Sequence, residues 1–471
     1  MSALVSLSAA ELVRRIRARQ VSATEAMQEV LAAARRAHER LNCFVRIDEE
    51  AALAAARLAD GEIARGLLRG PLAGVPMAHK DMYYREGVAS SCGSTITRER
   101  PAPATATVLK RLDAAGALQF GVLNMTEFAY GPTGHNYHLG HCRNAWNPQY
   151  ITGGSSSGAG TSVAARANFA ALGSDTGGSI RLPSHFCGVA GIKPTYGRVS
   201  RAGAMPLSFS LDTVGPLART VEDCALLLGV IAGRDAADPT SSHEAVPDYG
   251  AALERPVKGL RIGVPTSYFY DGADEHVERL VRASLDVLHS LGCVTVDVVL
   301  PDIERWNQAA TAIIAAEAAA LHANWLRERP QDYSDQVRAR LELGAAVGAT
   351  QYINALRLRS QALQQWLGTV MPQVDAVHAP CVAFATPTIA ETDVGGGPKM
   401  GQVMAQVTRL MRPVNFLGLP SLAVPCGFQP HGLPCAFQLI GRPFDEALLL
   451  RLGHAYQRAT DWHARAPAEV T

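Results

Sequence analysis

Residues 159–174, AGTSVAARANFAALGS, decide how the middle of the chain is read. They lie within 131–220, a stretch whose wealth of Gly, Ser, Thr and Pro would by composition alone suit a flexible linker. Their small residues instead match a close-packed helix running into an apolar strand, and 131–220 contains neither low-complexity sequence nor a tandem repeat. Outward from this segment the same texture continues. LAGVPMA (72–78) and ALQFGVL (117–123) are short apolar runs separated by the helical stretch TATVLKRLDAAG (105–116). Such alternation predicts parallel strands with crossover helices. RIGVP (261–265) predicts another strand, helical stretches follow over 275–370, and PVNFLGLPSLAVPCG with PCAFQLIGRP form a closing βα-like section.

The N-terminal segment reads as two helices. Ser8 with Glu11 and Ser22 with Glu25 each form an S-x-x-E capping box. Met27, Val30, Leu31 and Ala34 recur at helical spacing, with Glu29 and Arg36 on the opposite face.

The chain has 471 residues, 48% hydrophobic and 18% charged, which is ample material for a core and excludes a disordered protein. Forty-four basic against 43 acidic residues leave a net charge of +1, so no global field draws the chain to nucleic acid or to an anionic membrane, and neither is expected as a partner. Nine cysteines without C-x-x-C spacing exclude a disulfide framework and a zinc knuckle; no metal and no cofactor are expected. The longest apolar run, Cys224 to Gly233, is far short of the ~20 residues that span a bilayer. MSALVSLSAAELVRRIR lacks the basic start of a signal peptide, so a cytoplasmic location is expected.

Only five basic residues are lysines: Lys80, Lys110, Lys193, Lys258 and Lys399. Lys80 ends an apolar run and is flanked by Met77, Ala78 and Met82. Loss of solvation there would favour the neutral amine, a competent general base. In GSDTGGSIRLP, the two glycines before Ser179 allow close backbone approach to a ligand. The N–H groups of Thr176, Gly177, Gly178 and Ser179 could form an anion-binding nest beside its hydroxyl, the arrangement of an oxyanion hole.

The run Gly153-Gly154-Ser155-Ser156-Ser157-Gly158 has two readings. It matches the G-x-S-x-G nucleophile elbow with Ser156 as nucleophile, which requires a downstream acid and histidine; His185, His243, His276, His378 and His431 follow, none marked out by its surroundings. Alternatively it supplies a bridging hydroxyl between a lysine and a second serine. A phosphate-binding P-loop is excluded, because the lysine of that motif is absent.

Together these motifs resemble the amidase signature family. The resemblance rests on GVP-x-x-x-K-D at 74–81, GGSSSG at 153–158, LGSDTGGSIRLPSHFCGVAGIKPTYGRVSRAG at 172–203 and SLDTVGPLARTVEDCALLL at 210–228. It resumes in NFLGLPSLAVPCG (415–427) and GLPCAFQLIG (432–441), and 235–375 is the least recognisable part. It implies a Ser-Ser-Lys triad: Ser179 as nucleophile, Ser155 as the bridging serine behind a cis peptide bond and 24 residues earlier, and Lys80 as base. The backbone of Thr176, Gly177 and Gly178 falls at the oxyanion hole, and Asp175 and Arg181 at positions that brace the loop. Met125, Tyr130 and Gly131 fall where family members line the acyl pocket, an apolar setting by their residue types. The family also implies an α/β fold, one α/β/α domain with a mixed twisted sheet covered by helices and an active site near the sheet centre. The expected organisation is an N-terminal helical segment (1–65) packed on a domain of 66–471, with a signature core at 74–230 and a variable substrate-side region at 235–405.

The expected function is a stand-alone amidase acting on small or aryl amides, with esters and carbamates as further substrates and a small molecule as its partner. The N-terminal helical pair offers a homodimer surface. The alternative is the glutaminase-type A subunit of a glutamyl-tRNA amidotransferase complex, which LGSDTGGSIRLP and SLDTVGPLARTVEDC also resemble. Either way, Lys80→Arg is expected to be as inactive as Lys80→Ala, because a guanidinium keeps its charge but does not deprotonate. Rates of amide hydrolysis by the two variants check this, and substantial turnover by the Arg variant would exclude Lys80 as a base.

Overall fold

The computed structural model describes residues 4–67 and 70–468, so the first three residues of the N-terminal segment and the last three of the chain lie outside it. Strands β1 (Phe44–Ile47), β2 (Pro76–Lys80) and β3 (Leu118–Leu123) make a small sheet in the order β1-β3-β2. Strands β4 (Ala170–Asp175), β5 (Ala190–Lys193), β6 (Thr213–Ala218), β7 (Arg261–Pro265), β8 (Val294–Val298), β9 (Ala376–Pro380), β10 (Ser421–Phe428) and β11 (Pro434–Ile440) make a larger one. Its order is β4-β6-β5-β10-β11-β9-β7-β8. Helices flank this mixed sheet, the α/β architecture expected from the sequence.

The predicted parallel crossover exists: β2 and β3 are parallel and joined through the helix Thr107–Ala114. In the large sheet only the pairs β7–β8 and β7–β9 are parallel. The closing section is an antiparallel hairpin, β10–β11, before the helix Glu446–Arg458. Its connection is too short for a crossover, and a short connection can only reverse the chain. Within 275–370 the helices Glu275–Ser290, Ile303–Glu328, Asp335–Ala345 and Ala349–Thr369 are interrupted by β8. That strand is a sheet edge with Val294 exposed, so it carries little of the apolar signal that marks a buried strand.

The helix Ala23–Leu41 has its full capping box, with Ser22 and Glu25 each accepting the other's backbone N–H. Ser8 also caps its helix by accepting from Glu11 N, but the Glu11 carboxylate is drawn away by Arg14 and Arg15, each at 2.9 Å. That helix, Ala9–Arg17, is tied to the helix Val221–Ile231 by Ala10 N donating to Asp223 Oδ1 at 2.8 Å. Among the described residues no helix is long and apolar enough to cross a membrane.

Every residue of the helix Ser157–Ala164 is buried. A Cβ on Gly158 would come within 2.4 Å of the Cys43 carbonyl oxygen and 2.6 Å of that of Asn124. These neighbours are backbone and cannot swing aside, so Gly158→Ala is expected to cost about 1–3 kcal/mol. Chemical denaturation of the purified variant measures it; a loss below a few tenths would show that the helix can shift.

Candidate functional site

The small sheet and the large one meet edge to edge without a shared ladder, and side chains stitch the seam. Asn168 accepts from Ala78 N at 3.2 Å and donates to Ala78 O at 2.9 Å. His79 Nδ1 accepts from Leu172 N at 3.2 Å, and Tyr83 Oη donates to Gly173 O at 2.6 Å. Burial drives the His79 pKa down to about 3, so its ring is neutral and its nitrogen free to accept.

Lys80 is the last residue of β2 and points across this seam. Its Nζ lies 2.7 Å from Ser155 Oγ and 2.9 Å from Ser174 Oγ, and its side chain is buried. Burial pushes its pKa down to about 7, against the opposing pull of Asp212 and Asp175. A substantial neutral fraction therefore exists at neutral pH, as the sequence led us to expect. The seam also relocates the site. It lies between the small sheet and β4, the edge strand of the large sheet, rather than at the sheet centre, because β2 pairs with β3 and never joins the eight strands.

Ser155 follows a cis Gly154–Ser155 peptide bond. Its carbonyl accepts from Thr126 N at 3.1 Å, and Gly154 N donates to Pro132 O at 2.7 Å. The loop 125–134 thus holds the backbone of the Gly/Ser run. Gly131 belongs to that cradle: its carbonyl oxygen lies 2.6 Å from where a Cβ on Gly154 would stand. Met125 is buried in the core with its carbonyl accepting from Asn136 Nδ2 at 2.7 Å. Ser156, the nucleophile of the elbow reading, is buried with its hydroxyl against the backbone of Ser174, at 3.3 Å from its N and 3.4 Å from its O. None of the nine downstream histidines hydrogen-bonds to it.

Ser179 opens the helix-bearing loop after β4, 8% exposed, and its hydroxyl bonds to no described residue. Asp175 braces the loop as the sequence suggested. Its carboxylate accepts from Gly178 N at 2.8 Å and Ile180 N at 3.2 Å, and pairs with Arg181 Nε at 3.0 Å in complete burial. Burial alone would raise its pKa; Arg181, Lys193 and Asn415 outweigh that and hold the carboxyl well below its usual range. Gly178 has φ +121°, and a Cβ there would meet Met411 Cγ at 2.7 Å, so both conformation and space require glycine. Asp175 already occupies the Gly178 N–H, whereas the N–H groups of Thr176, Gly177 and Ser179 have no hydrogen-bond partner among the described residues. The Thr176 hydroxyl donates to Asp212 Oδ1 at 2.5 Å.

Three contributors escaped sequence reading. Ser174 gives Lys80 its second hydroxyl; it lies within GSDTGGSIRLP, but near the end of a buried strand, where no local pattern shows that its side chain faces a lysine 94 residues away. Arg340 and Arg412 converge near the nucleophile loop. The Arg340 guanidinium lies 3.6 Å over the Tyr130 ring and donates to Tyr130 O at 2.7 Å. Arg412 packs its Cγ 3.3 Å from where a Cβ on Gly177 would be. The surroundings of Tyr130 are therefore strongly cationic, where an apolar pocket had been expected. In an arginine-rich chain, nothing in the sequence distinguishes these two from the rest.

A family model described as Amidase matches residues 25–450. A protein of Chloroflexus aurantiacus, named as the A subunit of glutamyl-tRNA(Gln) amidotransferase, is 40% identical, over 96% of both chains. A solved structure of an s-triazine catabolic enzyme, described as a vestigial protein complex with inhibitor bound, superposes with a TM-score of 0.90 at 35% identity, over 96% of this chain and 98% of that one. The structure of the A subunit of the Thermotoga maritima glutamyl-tRNA(Gln) amidotransferase gives 0.82 at 29% identity, over 97% and 95%.

These relatives correct two expectations. The stand-alone amidase is displaced by the alternative, since the similarity to the amidotransferase chains runs through 235–375, the part that had read as unlike them. A small molecule as the sole partner, with no nucleic acid and a homodimer at most, is displaced as well, because the relatives are named as subunits of a larger enzyme. The catalytic motifs are common to both kinds of protein, and partner recognition is spread over surfaces that no short motif records.

If the neutral amine of Lys80 is what the site uses, kcat/KM should be low in acid, rise as pH passes about 7 and stay flat above it. A pH–rate profile on an amide substrate tests this. A rise centred in the carboxylate range would assign the titration to another group.

Proposed function

Because the chain belongs to the amidase signature family, we propose that it is the amidase component of a multisubunit amidotransferase that acts on glutamyl-tRNA(Gln). The observation that carries this is similarity to the A subunits of such enzymes at 37–40% identity along nearly the whole chain. In this role the protein releases ammonia from glutamine and passes it to a partner that holds the tRNA.

The proposed chemistry follows from the geometry. Neutral Lys80 takes the Ser155 proton while Ser155 takes that of Ser179, and Ser179 Oγ attacks the side-chain carbonyl carbon of glutamine. Charge develops on the carbonyl oxygen, which the N–H groups of Gly177 and Ser179 receive. Collapse breaks the C–N bond, Ser155 returns a proton to the leaving nitrogen, and ammonia departs. Water attacks the resulting ester by the same relay, giving glutamate and free Ser179. Met125 and Gly131 serve in holding the loop around Ser155, and Tyr130 lines the acyl side. We place the reaction in the cytoplasm: the nine cysteines are all free and buried, which suits a reducing compartment.

Ammonia release from glutamine by the purified chain, alone and with whatever subunits copurify, tests the proposal. Ser179→Ala is expected to lower that rate by about a thousandfold or more. Glutamine left intact even by the chain with its copurified partners would overturn it.

A further inference from the structure

Glu127 lies in the turn between Thr126, whose N–H donates to the Ser155 carbonyl, and Tyr130 on the acyl side. Its side chain is buried, and its carboxylate collects donors from three other parts of the chain. Ser94 Oγ and His138 Nε2 each lie 2.8 Å from Oε1. Ser334 reaches Oε2 twice, with its N at 3.0 Å and its Oγ at 2.5 Å. A buried carboxylate is costly unless both oxygens are met, and here both are. The proton relay from Ser179 to Lys80 uses none of these groups.

Two of the tethers lead to the site from outside the loop. Ser94 belongs to the segment whose Ser90 Oγ and Ser91 N donate to Asp81, the residue after Lys80, at 2.9 and 3.1 Å. Ser334 caps the helix Asp335–Ala345, its Oγ accepting from Val337 N at 3.4 Å. The Glu127 charge therefore sits at the favourable end of that helix's dipole. Further along the helix, Arg340 donates to Tyr130 O, and Gln336 Oε1 lies 3.3 Å from where a Cβ on Gly131 would stand. The helix thus backs Tyr130 and Gly131, and Gly131 in turn abuts Gly154, the neighbour of Ser155. The turn after Glu127 is strained: Phe128 and Ala129 both have positive φ, +48° and +59°, without being glycine. Such conformations persist only where the surroundings enforce them, and a carboxylate held by four donors supplies that restraint.

We infer that Glu127 is a positioning residue: its carboxylate latches the helix Asp335–Ala345 to the loop 125–134 that cradles Ser155, and so fixes the Tyr130–Gly131 wall on the acyl side. The latch rests on the glutamine reading only for the choice of substrate.

The test measures glutamine hydrolysis, with copurified subunits present, by the wild-type chain, Glu127→Gln, Ser334→Ala, Ser334→Thr and the double variant Glu127→Gln/Ser334→Ala. Glu127→Gln loses the charge and turns one accepting oxygen into a donating NH2. It is expected to raise KM about tenfold, a quantity that does not depend on the fraction of enzyme correctly folded. Ser334→Ala should raise KM less, Ser334→Thr should restore it, and the double variant should be no worse than Glu127→Gln alone. Hydrogen–deuterium exchange should quicken at least about tenfold over 335–345 in Glu127→Gln and Ser334→Ala, with 157–164 still protected. If Glu127→Gln does not fold, the Ser334 pair carries the same comparison. A KM within about twofold of wild type in both single variants, or unchanged exchange over 335–345, overturns the latch. If glutamine is inert even with the wild-type chain, the glutaminase reading falls, and the exchange over 335–345 by itself sustains or overturns the latch.

Discussion

The amine of Lys80 is withheld from water, and the rest of the site is arranged around that constraint. A lysine at the end of a strand would ordinarily reach solvent. Here the strand ends at a seam between two sheets, and among the described residues the only hydrogen-bond partners of the amine are the hydroxyls of Ser155 and Ser174. Two hydroxyls solvate a neutral amine adequately and an ammonium poorly, so desolvation outweighs the more distant carboxylates of Asp212 and Asp175. The seam is kept closed by Asn168, His79 and Tyr83, each of which bonds a backbone group across it. The base is thus a consequence of how two sheets abut.

A second buried charge organises the other half. Asp175 and Arg181 are both inaccessible to solvent, a costly arrangement unless every donor and acceptor is met. Asn415 donates to the Asp175 carboxylate at 2.8 Å and accepts from Arg181 at 2.7 Å. Gln438 on β11 accepts from Arg181 at 2.9 Å. This network explains why distant C-terminal segments accompany the GGS loop: NFLGLP supplies the asparagine and AFQLIG the glutamine that hold it. The same network fixes Gly178, and with it the direction of the free N–H groups beside Ser179.

Much of this is legible in the sequence. The helix 157–164 and strand 170–175 lie where AGTSVAARANFAALGS placed them, and Lys80 is buried as its apolar neighbours suggested. The separate small sheet was not legible, because apolar runs announce strands but not which strands share a ladder. Ser174, Arg340 and Arg412 were hidden for a related reason. Each is unremarkable among its sequence neighbours and gains meaning only from side chains dozens to hundreds of residues away. Membership of a larger enzyme was legible only as the alternative reading, since a docking surface is distributed and leaves no motif.

The sequence by itself determined the chemistry that local patterns encode: small residues where backbones touch, glycines where φ is positive, a lysine in apolar company and serines in tight loops. These follow from sterics and solvation that act within a few residues. Only the tertiary structure decided that Lys80 faces Ser155 and Ser174 rather than solvent, that Asp175 takes one of the expected oxyanion donors, and that Arg340, without a counter-ion among the described residues, lies over Tyr130. Those outcomes depend on which surfaces come together when the chain closes, and long-range electrostatics acquires its sign and strength only once burial has fixed the distances.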